Sequence, residues 1–179
     1  MRVTRILTAC GLREWPACIS EADREFYLTR GAAIHTVTEL LDREVLDEST
    51  VDERIKGFLN AWKNFRRLIG GKILAIEEEV KHKTLGYEGR LDRRLGPCAI
   101  CRHASVVDIK TNEADEPTRL QLMGYNIAKG GRYKRMSVSL FEDGNFKPMV
   151  YDNDVFDKKA WLACVMLAAW RQRNGYTDK

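Results

Sequence analysis

The sequence predicts a mixed α/β fold: a central mixed sheet of about five strands flanked by helices. Three observations predict it. The first 70 residues carry apolar positions at helical spacing and stop at Gly70-Gly71. Beyond them, period-two patterns recur in short runs. One helical segment is inserted among those runs and another closes the chain. Residues 4–20 read as irregular, broken by Gly11 and Pro16. A helix is expected over 21–28 and a second over 31–44, with Ile34, Val37, Leu40 and Leu41 on one face. The acidic stretch 42–53 reads as a solvated helix end and linker. A third helix over 51–69 places Ile55, Phe58, Leu59, Trp62 and Phe65 on one side and Lys56, Lys63, Arg66 and Arg67 on the other. Gly70-Gly71 ends it.

Strands are expected over 72–81, 87–95 and 105–111, the last being the clearest core strand (Ser-Val-Val-Asp-Ile-Lys-Thr). Pro117 opens a helix through 129. Met136, Val138 and Leu140 alternate with polar residues. Glu142-Asp-Gly-Asn145 is turn chemistry, and 146–151 returns, which predicts a hairpin. A last helix is expected over 153–173.

With 179 residues, the chain has the length of one domain, with residues 1–70 helical and residues 71–179 forming the core. At 44% hydrophobic and 31% charged residues it is no disordered polyelectrolyte. The longest apolar run, around 161–170, is about half a bilayer span, and no apolar signal core follows Met1, so a cytoplasmic protein without a membrane partner is expected. A net charge of +4 permits nucleic acid as a partner without requiring it.

Three fragments point to chemistry: Gly89-Arg-Leu-Asp92, Asp108-Ile-Lys110 and Gln121-Leu-Met-Gly-Tyr125. In a strand, Asp108 and Lys110 share one face while Val107 and Ile109 take the other. Buried charges are costly unless paired or bound to a metal. Asp92, at the end of the preceding strand, can sit beside Asp108 across an antiparallel pair. Two adjacent carboxylates raise each other's pKa unless a cation lies between them, and a divalent ion with oxygen ligands, Mg²⁺ or Mn²⁺, resolves this. Lys110 would then orient or deprotonate a water and offset charge on a phosphate. That is the logic of metal-assisted phosphodiester hydrolysis. The plainer reading of Asp108 and Lys110 is a strand end in water or a structural ion pair, and that of Gln121 and Tyr125 a polar helix face with an amphipathic anchor.

These fragments, in order, resemble the PD-(D/E)XK nuclease superfamily, and within it the RecB-like and phage exonuclease-like branch. Arg30-Gly-Ala-Ala-Ile-His35 matches a helical His motif, Ile76-Glu-Glu-Glu-Val80 a Glu-bearing strand, and the three fragments above the rest. The resemblance implies a restriction-endonuclease-like core and a Mg²⁺- or Mn²⁺-dependent deoxyribonuclease. It implies Asp92, Asp108, the Ile109 carbonyl and His35 as metal ligands, with Lys110 as the catalytic lysine. Glu77 would be an outer ligand, although Glu78 and Glu79 compete for that place. Gln121 and Tyr125, one helical turn apart, would contact the scissile strand or brace Lys110. Exonuclease action on linear DNA in phage or bacterial recombination is the first expectation, with a recombination or single-strand-binding protein as a conceivable partner. A structure-selective endonuclease and a silent DNA-end-binding module are the alternatives.

The stretch Lys129-Gly-Gly-Arg132-Tyr-Lys134-Arg135 offers four cations for phosphates, with Lys63, Arg66 and Arg67 as a second cluster and Arg171 with Arg173 as a third. No base-reading element is visible, which suits backbone contacts. The cysteines at 10, 18, 98, 101 and 164 lack the spacing of the branch's iron–sulfur members, so no cluster is expected, and whether Cys98 and Cys101 bind a metal stays open. There is no Walker A sequence.

Overall fold

A computed structural model describes residues 1–152 and 154–176. The sheet has five strands: β1 (Ile73–His82), β2 (Tyr87–Leu95), β3 (Ser105–Lys110), β4 (Lys134–Leu140) and β5 (Phe146–Tyr151), in spatial order β1-β2-β3-β4-β5. Only the β3–β4 pair is parallel. A parallel neighbour needs a crossover, and α4 (Glu116–Ala128) supplies it. Asp115 caps that helix by accepting from the Thr118 N–H at 3.1 Å, with Pro117 in its first turn.

Both faces of the sheet are covered. On one lie α1 (Val3–Ala9), α4 and α5 (Val155–Arg173), around Val80, Leu91 and Val106. On the other lie α2 (Glu21–Asp42) and α3 (Glu53–Ile69), around Val107, Ile109, Met136 and Val138. The neighbours Val106 and Val107 thus serve opposite cores, as strand alternation requires. Gly70, at φ +58°, ends α3 in the left-handed region as anticipated. No helix among the described residues is long and apolar enough to cross a membrane.

Three expectations need correction. Residues 3–9 form a helix, because Val3, Ile6 and Leu7 bury one face against the sheet. Residues 21–42 form one helix rather than two. Gly31 costs about 1 kcal/mol in a helix interior, too little to break a helix anchored on both sides of it. Its missing side chain faces the Thr111 hydroxyl, 4.0 Å from where a Cβ would stand. Finally, Asp42 is no solvated helix end. Its side chain is 4% exposed and receives the Arg93 Nε at 2.6 Å and the Trp62 Nε1 at 3.0 Å.

Arg93 itself is completely buried in β2, beneath α2. Its guanidinium also donates to Glu77 Oε1 of β1 (3.1 Å), to the Asp92 carbonyl (2.7 Å) and to the Thr38 hydroxyl (3.3 Å), and lies over the Trp62 ring. Removing one partner of such a pair leaves an uncompensated buried charge. Asp42→Ala should therefore lower the unfolding free energy by about 3–5 kcal/mol, measured as a lower urea midpoint at unchanged m-value.

Candidate active site

The site forms where β2 and β3 part. Their ladder comprises Arg93↔Val107, Arg94↔Val106 and Leu95↔Ser105, and one step further Asp92 would stand opposite Asp108. There the backbone pairing stops and a side chain takes over: Asp92 Oδ2 accepts from the Ile109 N–H at 2.6 Å. A strand residue's N–H and C=O share one edge, so the Ile109 carbonyl also points into the fork. The Cys98–Cys101 turn lies in the β2–β3 connection, at the closed end of that ladder.

His35, Glu77 and Asp92 converge on this fork. One ligand atom from each lies within 4.8 Å of the others. His35 comes from α2, with Nδ1 3.6 Å from Asp92 Oδ2. Glu77 comes from β1, where its φ of +50° is anomalous for a strand. Left-handed backbone costs a non-glycine residue on the order of 1–3 kcal/mol and clusters at functional sites. The neighbouring acids go elsewhere: Glu78 pairs with Arg94 (3.1 Å) and Lys129 (2.8 Å), and Glu79 is exposed. Glu77 is already bound by Arg93 (3.1 Å) and Arg90 (3.0 Å).

Asp108 and Lys110 project from β3 on the α4 side. Lys110 Nζ lies 2.8 Å from Asp108 Oδ2. Gln121 of α4 braces both: its Nε2 donates to Asp108 Oδ1 at 2.7 Å, and its Oε1 receives Lys110 Nζ at 3.5 Å and Arg13 at 3.3 Å. Tyr125, one turn on, accepts from Gln121 Nε2 at 3.2 Å. Burial, then the charges of Asp108 and Asp92, push the Tyr125 hydroxyl above its usual range, so it stays protonated. Its ring explains the glycine of Gly89-Arg-Leu-Asp92: a Cβ on Gly89 would meet Tyr125 Cε1 at 2.5 Å. Gln121 and Tyr125 thus hold Asp108 and Lys110.

The electrostatics single out Asp92. Asp42, Asp108 and Asp157 each hold a cation, Arg93, Lys110 and Arg135 respectively. Asp92 has the His35 imidazole and one backbone N–H. Burial pushes its carboxyl up to about 6, opposed by His35 and reinforced by the nearby Asp108 charge. A buried carboxylate without a full cation, beside an imidazole and a second carboxylate, is a donor set that a divalent ion fits.

The basic stretch after α4 departs from expectation. Arg135 is completely buried, paired with Asp157 at 2.8 Å and stacked over Tyr151, so it cannot face a phosphate. Lys129 is held by Glu78 and Lys134 by Asp152 (3.3 Å), leaving Arg132 exposed. Arg13, by contrast, escaped the sequence reading and reaches the site from the segment after α1. Only its sequence neighbourhood, an irregular loop, was legible. Arg90 and Arg93 escaped it too, hidden as ordinary charges in a strand.

No family model matches the chain, and no curated protein matches it. Among solved structures, it is similar to an alkaline exonuclease (LHK-Exo) from Laribacter hongkongensis, at 12% identity and a TM-score of 0.44, covering 98% of this chain and 92% of that one. The same enzyme in complex with dAMP gives 12% and 0.44, with 98% and 93% covered.

The donor set makes a prediction about stability. A carboxyl whose folded-state pKa is raised costs stability once pH passes its unfolded value, and the cost is complete above the folded value. In EDTA at pH 8, Asp92→Asn should melt at a higher temperature than the native protein, and the gap should shrink as pH falls below about 6 and vanish near 3.8. Mn²⁺ should raise the melting temperature of the native protein by mass action and leave Asp92→Asn and His35→Ala unmoved, as read by differential scanning fluorimetry.

Proposed function

We propose that the protein is a Mg²⁺- or Mn²⁺-dependent deoxyribonuclease of the PD-(D/E)XK superfamily, RecB-like and phage exonuclease-like in type. The observation that carries this reading is the Asp108–Lys110 pair, held at 2.8 Å on one strand face beside the cation-poor Asp92 at the fork. Asp92, Asp108, His35 and the Ile109 carbonyl would hold the ion, with Glu77 behind them. When bound, a divalent ion supplies Lewis acidity toward a phosphoryl oxygen.

The chain's own groups do the rest. Lys110 Nζ, fixed by Asp108 and Gln121, donates hydrogen bonds to the attacking water or to the oxygens gaining charge on phosphorus. Gln121 fixes the Asp108 carboxylate from the other side and keeps Lys110 from swinging away. Arg13, at the rim, offers a guanidinium to an adjacent phosphate. In-line attack by water would leave a 5′-phosphate and a 3′-hydroxyl. DNA gripped through its backbone is the substrate, and linear DNA attacked from its ends, in phage or bacterial recombination, is the first choice. An endonuclease selective for structure uses the same groups.

The test is cleavage of end-labelled linear duplex and single-stranded DNA beside closed circular plasmid, with Mg²⁺, Mn²⁺ or EDTA, for the native protein and Lys110→Ala. Metal-dependent loss of linear DNA alone is expected, slowed on the order of 10²–10⁴-fold by the substitution. Nicking of the circle under the same control makes the protein an endonuclease. DNA that is bound but never cut in either metal overturns the catalytic reading and leaves an end-binding module.

A further inference from the structure

The helix α5 is apolar on two sides. Trp161, Cys164, Val165 and Ala168 bury one side in the core shared with α1 and α4. On the other side Phe156, Ala163 and Trp170 repeat every seven residues, with Ala160, Met166 and Leu167 between them, and all six are exposed. Those spacings draw a single stripe along a helix. Residues 160–170 hold no charged residue. The one charge on the stripe, Lys159, lies at its N-terminal end with the ammonium over the Phe156 ring. A helix that is apolar all round is normally a buried helix. Among the described residues this side is open, with Phe156 76%, Met166 70%, Trp170 55% and Leu167 47% exposed.

Size and shape together say what covers it. An aromatic side chain presents about 150–250 Å², so at these exposures the stripe offers on the order of 500 Å². Two such stripes face to face bury on the order of 1,000 Å², the threshold of a specific interface. The order of large and small residues suits a second copy run antiparallel. About a two-fold axis at Ala163, Ala160 meets Met166, Phe156 meets Trp170, and Lys159 lays its apolar stem along Leu167. The central alanines let the two backbones approach, and the aromatic pairs close both ends. A parallel pairing would set Met166 on Met166 and Lys159 on Lys159, bulk on bulk and charge on like charge.

We propose that α5 is a dimerisation helix, on which two copies of this chain pair antiparallel about Ala163. The pairing is independent of the chemistry at the fork.

The test is sedimentation equilibrium of the full chain over about 1–100 µM, the range suited to an interface of this size. The mass should rise from one chain toward two across that range. Met166→Glu, which sets a carboxylate in the seam, should weaken association at least about tenfold, with folding checked by circular dichroism. Ala163→Cys probes the same geometry without adding charge. A short bismaleimide should join two copies through it, beyond the level in the native protein, whose Cys18 is exposed. Lys158→Cys, exposed but outside the stripe, should not cross-link beyond that level. A single copy at every concentration, a trimer or larger assembly, association unmoved in Met166→Glu, or equal cross-linking at 158 and 163 overturns the proposal. A protein that stays single but sediments with phosphatidylcholine vesicles marks the stripe as lipid-facing and overturns it too.

Discussion

The buried guanidinium of Arg93 is the interaction on which the candidate site depends. It joins Asp42 and Thr38 of α2, Glu77 of β1 and the Asp92 carbonyl of β2. Those three elements carry the three convergent groups His35, Glu77 and Asp92. A lysine could not do this, because a single ammonium lacks the planar fork that reaches several acceptors at once. Desolvating such a cation is expensive, and the pairing it gains does little more than break even. What the arrangement supplies is position: the helix and both strands are referred to one fixed point, and the face of Trp62 closes over it.

Around that point the charges are distributed unevenly. Arg93, Arg90 and Lys110 neutralise Asp42, Glu77 and Asp108, while Asp92 stays short of a cation. The backbone is uneven as well, with Glu77 in the left-handed region of a strand whose register already shifts between Ile73 and Ala75. Packing on both sides of the sheet offsets these local costs. A fold that tolerates a misplaced charge and a strained residue at the same fork has concentrated its unfavourable terms where binding can relieve them.

Much of this was legible in the residues themselves. The strands 87–95 and 146–151 coincide with β2 and β5, because period-two patterns between strong turn signals leave little freedom of register. The order of the short motifs was enough to bring His35, Asp92, Asp108, Lys110, Gln121 and Tyr125 into one neighbourhood. What stayed hidden were charges whose partners lie far along the chain. Arg93 finds Asp42 across 51 residues and Arg135 finds Asp157 across 22, so Arg93 went unnoticed and Arg135 was read as a phosphate contact. The helix at 3–9 was missed for a different reason: two turns hold too few apolar positions to show a period.

The short segment 10–20 has a consequence of its own. It leaves α1 on one face of the sheet and enters α2 on the other, so it must pass around the sheet, and on the way Arg13 meets Gln121. During synthesis α1, α2 and α3 all emerge before any strand, with no sheet to separate them. Their arrangement on two sides therefore waits for the sheet, and the packing of α1 waits for α5, at the far end of the sequence. Such distant closures come late in folding. Arg13 thus joins the two ends of that wrap: it reaches Gln121, 108 residues on, only once α4 has docked on the sheet.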